Sequence, residues 1–250
     1  MGQLLLRGMI AGLLASLLAF GFARIVGEPP IERAIALEES SASAEAPHTH
    51  DDAAGAHTHS HNDEDALVSR DVQAGLGLFV SVAVYGTALG GLFALVFAFA
   101  DGRLFSLSPR AMALVLAAMG FAVMYLVPGL KYPANPPAVG HADSIDQRTL
   151  LFFTMLVFSL AALAVAITIG RRLATFSGPW NGAISGGGIY LLLIVLSSVA
   201  LPSIDEVPNA FPAELLWDFR IAALGTQGVL WASIGLLFGA LVEGTRRKAI

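Results

Sequence analysis

The chemistry most visible in the sequence is a histidine-rich tract. His48 and His50 form one His-x-His group, and His57, His59 and His61 form a second group shortly after it. In an extended chain alternate side chains point to the same side, so the imidazoles of each group can reach one metal ion. Imidazole binds Co²⁺, Ni²⁺, Cu²⁺ and Zn²⁺, and nearby carboxylates can add oxygen ligands: Asp51, Asp52, Asp63, Glu64 and Asp65. The spacing favours a divalent-metal site over a solvated polar linker, and it does not choose the metal.

The surroundings of this tract indicate how it would bind. From Ser40 onward the chain consists mainly of Ser, Ala, His, Asp and Glu, a composition that cannot bury a core and is typical of disorder. An unstructured site loses ordering entropy when it binds metal. We therefore expect the tract to capture ions and not to store them.

Further polar candidates lie near proline-rich segments. Residues 131–141 contain three prolines within five positions, and residues 201–220 contain three more, so both backbones are stiff and extended. We predict that these segments line a cation entrance. The candidate residues are Glu28, Asn135, His141, Asp205 and Glu206. The alternatives are a simple rigid connection and ordinary solvated charges.

Several chemistries are excluded or unsupported. The chain has no cysteine, so it has no disulfide and no thiolate site, and it lacks both a P-loop and a His-Glu-x-x-His signature. A net charge of −5 argues against a nucleic-acid partner. No convergent acid–base or nucleophilic groups appear. We expect neither an enzyme nor a nucleotide-binding protein, and no resident cofactor.

The elements that must position these residues are membrane helices. Apolar residues make up 56% of the chain and charged residues only 13%, too few to cover a water-facing surface. Six unbroken apolar stretches are each long enough to span a bilayer, and unbroken runs favour helices over barrel strands. They are Leu4–Val26, Ala74–Ala100, Ala111–Val127, Leu150–Gly170, Ala183–Leu201 and Ile221–Val242. The polar side chains within them are uncharged hydroxyl and amide groups, such as those of Tyr85, Tyr125, Thr226 and Gln227.

The predicted fold is thus an all-α integral membrane protein with about six transmembrane helices. Residues 1–26 form the first helix and residues 27–73 an outer loop, in which Glu28-Pro29-Pro30 ends that helix and a short interfacial helix precedes the disordered His-rich tract. Residues 74–250 form a five-helix bundle. Lys and Arg are concentrated in the short segments of one face, which predicts both termini in the cytoplasm.

Three groups of motifs resemble a known family. The first is the opening Arg7-Gly8 with Ala11-Gly12-Leu13, followed by Gly27-Glu28-Pro29-Pro30-Ile31 and Ala34-Ile35-Ala36-Leu37-Glu38. The second, and most specific, is the segment Lys131–Gly140 with its Tyr-Pro-x-Asn-Pro-Pro core. The third is Leu201-Pro202, Glu206-Val207-Pro208, Phe211-Pro212-Ala213 and Phe219-Arg220. Together they resemble the CbtA family of proposed cobalt transporter subunits over nearly the whole chain.

The resemblance implies cobalt uptake linked to cobalamin, a location in the bacterial inner membrane, and a small single-span, histidine-containing partner subunit (CbtB-like). The family is usually described with about five spans, where this sequence predicts six. The residues themselves predict only a divalent cation. The sequence therefore predicts uptake of a divalent transition metal, with Co²⁺ favoured by the resemblance and Ni²⁺ or Zn²⁺ as alternatives. A non-transporting metal-binding or sensor subunit of a permease complex is the rival function.

Overall fold

The computed structural model describes residues 1–45, 69–104, 107–140 and 144–248. Six of its helices are long and apolar enough to cross a membrane, which confirms the predicted number: Gly2–Ser41, Arg70–Ala100, Pro109–Lys131, Ile145–Ser177, Pro179–Ala200 and Ala213–Gly244. No β-strand occurs within the described ranges. The predicted all-α class is confirmed, whereas the orientation of the termini stays a prediction.

These helices comprise nine α-helical segments and three π-helical turns. The α-helices are α1 (Gly2–Phe22), α2 (Glu28–Glu45), α3 (Arg70–Val72), α4 (Leu78–Ala100), α5 (Pro109–Phe121), α6 (Val127–Lys131), α7 (Ile145–Ser177), α8 (Pro179–Ala200) and α9 (Ala213–Lys248) in the described part of the chain. The π turns are π1 (Ala23–Gly27), π2 (Gln73–Gly77) and π3 (Ala122–Leu126). Each π turn joins two α-helices without a break.

The first helix continues further than the sequence predicts. Glu28-Pro29-Pro30 does not end it, because π1 carries α1 directly into α2. A proline inside a regular α-helix clashes with the carbonyl group four residues earlier. Here the wider π turn precedes the prolines, and the Glu28 N–H donates to the Ala23 carbonyl, five residues back. The helix therefore passes through both prolines.

The apolar side of α2 packs against protein. Ala34 is fully buried in a small cluster with Val139, Phe211 and Leu215. Arg33 also pairs with Asp218 at 2.8 Å, linking α2 to α9. The predicted interfacial helix thus rests on the two proline-rich segments.

Four helices form the main bundle. Helix α1 packs against α4 and α9, and α5 packs against α9. Gly8 and Gly12 of α1 meet Gly90 and Gly86 of α4 so closely that a Cβ atom on Gly12 would lie 2.0 Å from the Gly86 carbonyl oxygen. The centre of the bundle is filled by side chains that are almost fully buried: Phe97, Met112, Leu230, Ile234 and Phe238.

Helices α7 and α8 form a separate hairpin. The turn between them is Gly178, whose φ of +88° favours glycine. Gly170 packs closely against Gly182 and Gly186, so the two helices of the hairpin approach each other through glycines. The hairpin contacts the bundle mainly through α6 and π3, which pack against α7. Most of α8 is exposed on the side away from α7.

The six crossings define two faces of the molecule. The terminal face carries residues 1–7, 101–104, 107–108, 171–182 and 243–248. The loop face carries residues 27–45, 69–77, 128–140, 144–148 and 201–220 in the described ranges. All three π turns lie toward the loop face, and such turns occur often at functional sites.

Candidate functional site

A polar pocket of about 300 Å³ opens on the loop face. It lies between the two proline-rich segments, where α6, α7 and α9 end or begin. Among the predicted candidates, Asn135, Asp205 and Glu206 all line it. The pocket also contains Lys131, Tyr132, Pro133, Arg148 and Arg220.

Glu206 is the central group of this pocket. Its side chain is only 5% exposed. Oε2 accepts a hydrogen bond from Asn135 Nδ2 at 3.4 Å and lies 3.5 Å from an Arg148 guanidinium nitrogen. Oε1 is buried and has no hydrogen-bond partner among the described residues. A buried carboxylate oxygen without a partner is costly, so this atom is available to a ligand.

Two arginines hold the other oxygen atoms around Glu206. Arg148 donates to the Pro133 carbonyl oxygen at 2.5 Å. Arg220 donates to the Ala134 carbonyl oxygen at 3.3 Å and to Asn135 Oδ1 at 3.1 Å. Carboxylate, amide and carbonyl oxygens of this kind could bind a cation, but guanidinium groups now occupy most of them.

The pocket is therefore not an open anionic funnel. Lys131, Arg148 and Arg220 bring three positive charges against the two carboxylates Asp205 and Glu206. An approaching divalent cation meets a weakly positive pocket in this conformation. A cation that binds Glu206 through Oε2 as well as Oε1 must displace Arg148 from Oε2.

Hydrogen bonds fix the walls of the pocket. The Tyr132 hydroxyl donates to the Pro202 carbonyl oxygen at 2.7 Å, and Lys131 Nζ donates to Ser203 Oγ at 3.0 Å. Burial raises the pKa of Tyr132, so its hydroxyl remains protonated and keeps donating at neutral pH. These bonds tie the two proline-rich segments together and hold Asn135 opposite Glu206.

Glu28 and the histidines are placed differently. Glu28 is only 3% exposed and forms an ion pair with Arg70, outside the residues that line the pocket. His141 and the tract residues His48, His50, His57, His59 and His61 lie outside the described residues. In the described part of the chain, no group of three or more His, Cys, Asp or Glu side chains could hold a metal ion.

Below the pocket the interior is closed. Gln227 lies seven residues after Arg220 on α9, about 10 Å deeper, and its side chain is hydrogen-bonded to Tyr85. Gln227 Oε1 is buried without a partner among the described residues. Further in, the Trp231 ring packs on Gly120, and the apolar centre of the bundle follows. The buried polar side chains described on α1 and α9 are the two hydroxyl groups of Ser16 and Ser233.

Arg148 and Arg220 line the pocket although neither was predicted as a site residue. Both lie near the start of an apolar helix and directly follow a loop that carries a candidate oxygen ligand. A charge that enters a membrane helix is costly and is usually paired, which was the available signal. Their partners lie far away in the sequence, and so their hydrogen bonds could not be read from it.

The chain was compared with known proteins. No curated protein and no solved structure matches it. A family model does match, and it covers residues 1–243, which include all the described pocket residues and every predicted candidate. The chain therefore belongs to the CbtA family, whose members are described as probable cobalt transporter subunits.

Proposed function

We propose that this protein takes Co²⁺ into the cell, with the loop face outside and the terminal face in the cytoplasm of a bacterium, across its inner membrane. The family supports cobalt as the cargo. The concentration of Lys and Arg in the short segments of the terminal face supports the orientation. Ni²⁺ and Zn²⁺ remain alternative cargoes because oxygen and imidazole ligands also bind them.

The observation that carries this proposal is the unpartnered Oε1 of Glu206. It lies in a preformed pocket beside an amide oxygen and two backbone carbonyl oxygens that guanidinium groups hold. We infer that an entering ion exchanges with Arg148 and Arg220 and takes over their oxygen ligands. Gly140 closes one side of the pocket, since a Cβ atom there would lie 3.4 Å from Glu206 Oε2.

Displacing an arginine from Glu206 has a thermodynamic advantage over binding to a buried carboxylate that has no counter-charge. Removing Glu206 from water carries a large desolvation cost, which the arginine partly offsets before any ion arrives. A weakly interacting cation gains too little to displace a guanidinium group. A divalent ion with two charges gains more, so the arginines favour divalent over monovalent cations.

Initial rates of ⁵⁷Co²⁺ uptake test the proposal. Glu206→Gln keeps the shape of the side chain and removes its charge, so we expect the maximal rate to fall at least about tenfold, equivalent to about 1.4 kcal/mol. The measurement uses membrane vesicles with the loop face outside, and rates are normalised to the protein in the membrane. Glu214→Gln is the matched control, since Glu214 is an exposed residue on the same face and outside the pocket. An unchanged maximal rate in Glu206→Gln contradicts the proposal.

The histidine tract has a different proposed role, which is to raise the ion concentration near the pocket. Replacing His48, His50, His57, His59 and His61 with Ala should raise the half-saturating Co²⁺ concentration and leave the maximal rate unchanged. Mass action gives this result, because local capture brings no advantage once the pocket is saturated. The control replaces Thr49, Thr58 and Ser60 with Ala in the same tract. A fall in maximal rate in the five-histidine variant would instead place the tract in the passage itself.

A second candidate function is that of a non-transporting metal-binding or sensor subunit. The centre of the bundle favours it, because the side chains that fill it are mainly hydrophobic and the polar pocket does not extend among them. The word subunit in the family description implies a complex, and a single-span, histidine-containing protein is the partner we propose. Vesicles that contain this chain alone separate the two functions: uptake without the partner favours transport.

A further inference from the structure

A second cavity, on the other side of the membrane, has no role in the function proposed above. It has a volume of about 400 Å³. One side is formed by π3 and the end of α5, and the other side by the α7–α8 hairpin. Its lining is apolar and includes Met119, Val123, Leu163 and Ile167. A neighbouring groove shares Leu163, Ile167 and Arg171 with it and extends toward Phe99 and Arg172. Because they share these residues and both reach Arg171 near the terminal face, we call the cavity and the groove together the apolar channel.

Four glycines line this channel. Gly170, Gly182 and Gly186 line it where the two hairpin helices approach each other. Gly187 also lines it, and a Cβ atom there would meet no other atom within 4 Å. A larger residue at position 187 would therefore project into the open space of the channel and would not clash with the hairpin.

Unpartnered cations stand at the mouth of the channel. Arg171 and Arg172 are exposed, and neither guanidinium group forms a hydrogen bond or an ion pair with any described residue. Arg103 is nearby, with its guanidinium 5.8 Å from the centre of the Phe99 ring that lines the groove. The acidic residues described on this face are Asp101 and Glu243, and Glu243 already pairs with Arg110.

Arg171 and Arg172 lie at the level expected for lipid headgroups. Arg171 lies 23 residues after Arg148 on α7, a rise of about 34 Å. The hydrocarbon core of a bilayer is about 30 Å thick. The two arginines thus lie at opposite boundaries of the membrane, and the apolar channel runs from Arg171 into the hydrocarbon region.

We propose that this channel binds one anionic phospholipid, with an acyl chain between the bundle and the α7–α8 hairpin and the phosphate against Arg171 and Arg172. Basic pockets between membrane helices bind anionic headgroups in this way, and guanidinium groups pair well with phosphate. A partner helix does not fit, because a single helical turn about 10 Å across and 5.4 Å high already has about the volume of the whole cavity. The bound lipid fills the cavity between the hairpin and the bundle and links the two.

Native mass spectrometry of the purified, delipidated full chain tests this inference. We expect one phosphatidylglycerol to be retained per chain in preference to phosphatidylcholine. Arg171→Gln with Arg172→Gln should weaken phosphatidylglycerol retention about tenfold or more, because two charge-assisted contacts are lost. Arg24→Gln is the charge control, since Arg24 is exposed on the opposite face. Equal retention of the two lipids by the unmodified chain would overturn the inference.

A second pair of variants tests the acyl-chain position without changing charge. Gly187→Leu should block retention, whereas Gly188→Leu should not, because Gly188 is the next residue on α8, also faces open space and does not line the described cavity. Comparable retention in both variants would contradict the proposed position. The inference is independent of Co²⁺ uptake, so the failure of either leaves the other standing.

Discussion

Gly12→Ala should lower the thermal stability of the protein markedly, because the added Cβ clashes with the backbone of α4. The added Cβ would lie 2.0 Å from the Gly86 carbonyl oxygen and 3.0 Å from Gly90 Cα, and both are backbone atoms that cannot rotate away. Helices α1 and α4 must then separate along their whole contact. Overpacking of this kind costs about 3 kcal/mol, which corresponds to a lower melting temperature by roughly 6–12 °C for a chain of this length. Thermal unfolding of the detergent-solubilised protein measures the shift.

The matched control is Gly21→Ala on the same helix. A Cβ atom at Gly21 would meet no other atom within 4 Å. Alanine is also the better helix former by about 1 kcal/mol, so this control should not lose stability. Equal melting temperatures for the two variants would show that α1 and α4 do not pack through these glycines.

Arg70→Gln should be the second strongly destabilising change. Glu28 is 3% exposed and forms its ion pair with Arg70. Removal of the arginine leaves a buried carboxylate without a counter-charge, which should cost about 3 kcal/mol of stability. This value is at the low end of the usual range, because the Arg70 side chain is 38% exposed. The apparent free energy of unfolding in a mixed-micelle denaturation series measures the loss.

The double variant Glu28→Gln with Arg70→Gln should recover most of that stability, since no buried charge remains. Arg24→Gln serves as the control for the loss of one arginine near the same end of the bundle. If the double variant is no more stable than Arg70→Gln alone, the cost arises from lost packing of the arginine side chain. The ion pair would then contribute little.

The helices were the predictable part of this fold because the bilayer imposes their length and apolar composition. Leu150–Gly170 and Ala183–Leu201, for example, coincide closely with parts of α7 and α8. The ends were less predictable. Proline has a strong local preference to end a helix, but π1 relieves the clash at Pro29 through a hydrogen-bonding pattern that the sequence does not display.

The residue types of the candidate site could be predicted from the sequence, but the partners of these residues could not. Asn135 and Glu206 are polar residues in stiff segments that flank membrane helices, and this context placed them at one entrance, where their side chains meet. Glu28 has the same residue type and a similar context. Its partner Arg70 follows the histidine tract in the sequence, and a contact across 42 residues depends on how α1 packs against α4.

The three π turns make the orientation of side chains on the loop face depend on the exact number of residues in each turn. A π turn accommodates one residue more than an α turn, so every residue beyond it is rotated by about 100° relative to an unbroken helix. Glu28 follows π1, and Lys131 follows π3. The angular register of the loop face is therefore set by chain length within Ala23–Gly27, Gln73–Gly77 and Ala122–Leu126. Insertion or deletion of one residue in one of these turns would rotate the helix that follows it. A different side chain would then face each contact partner, although the sequence of that helix stayed the same.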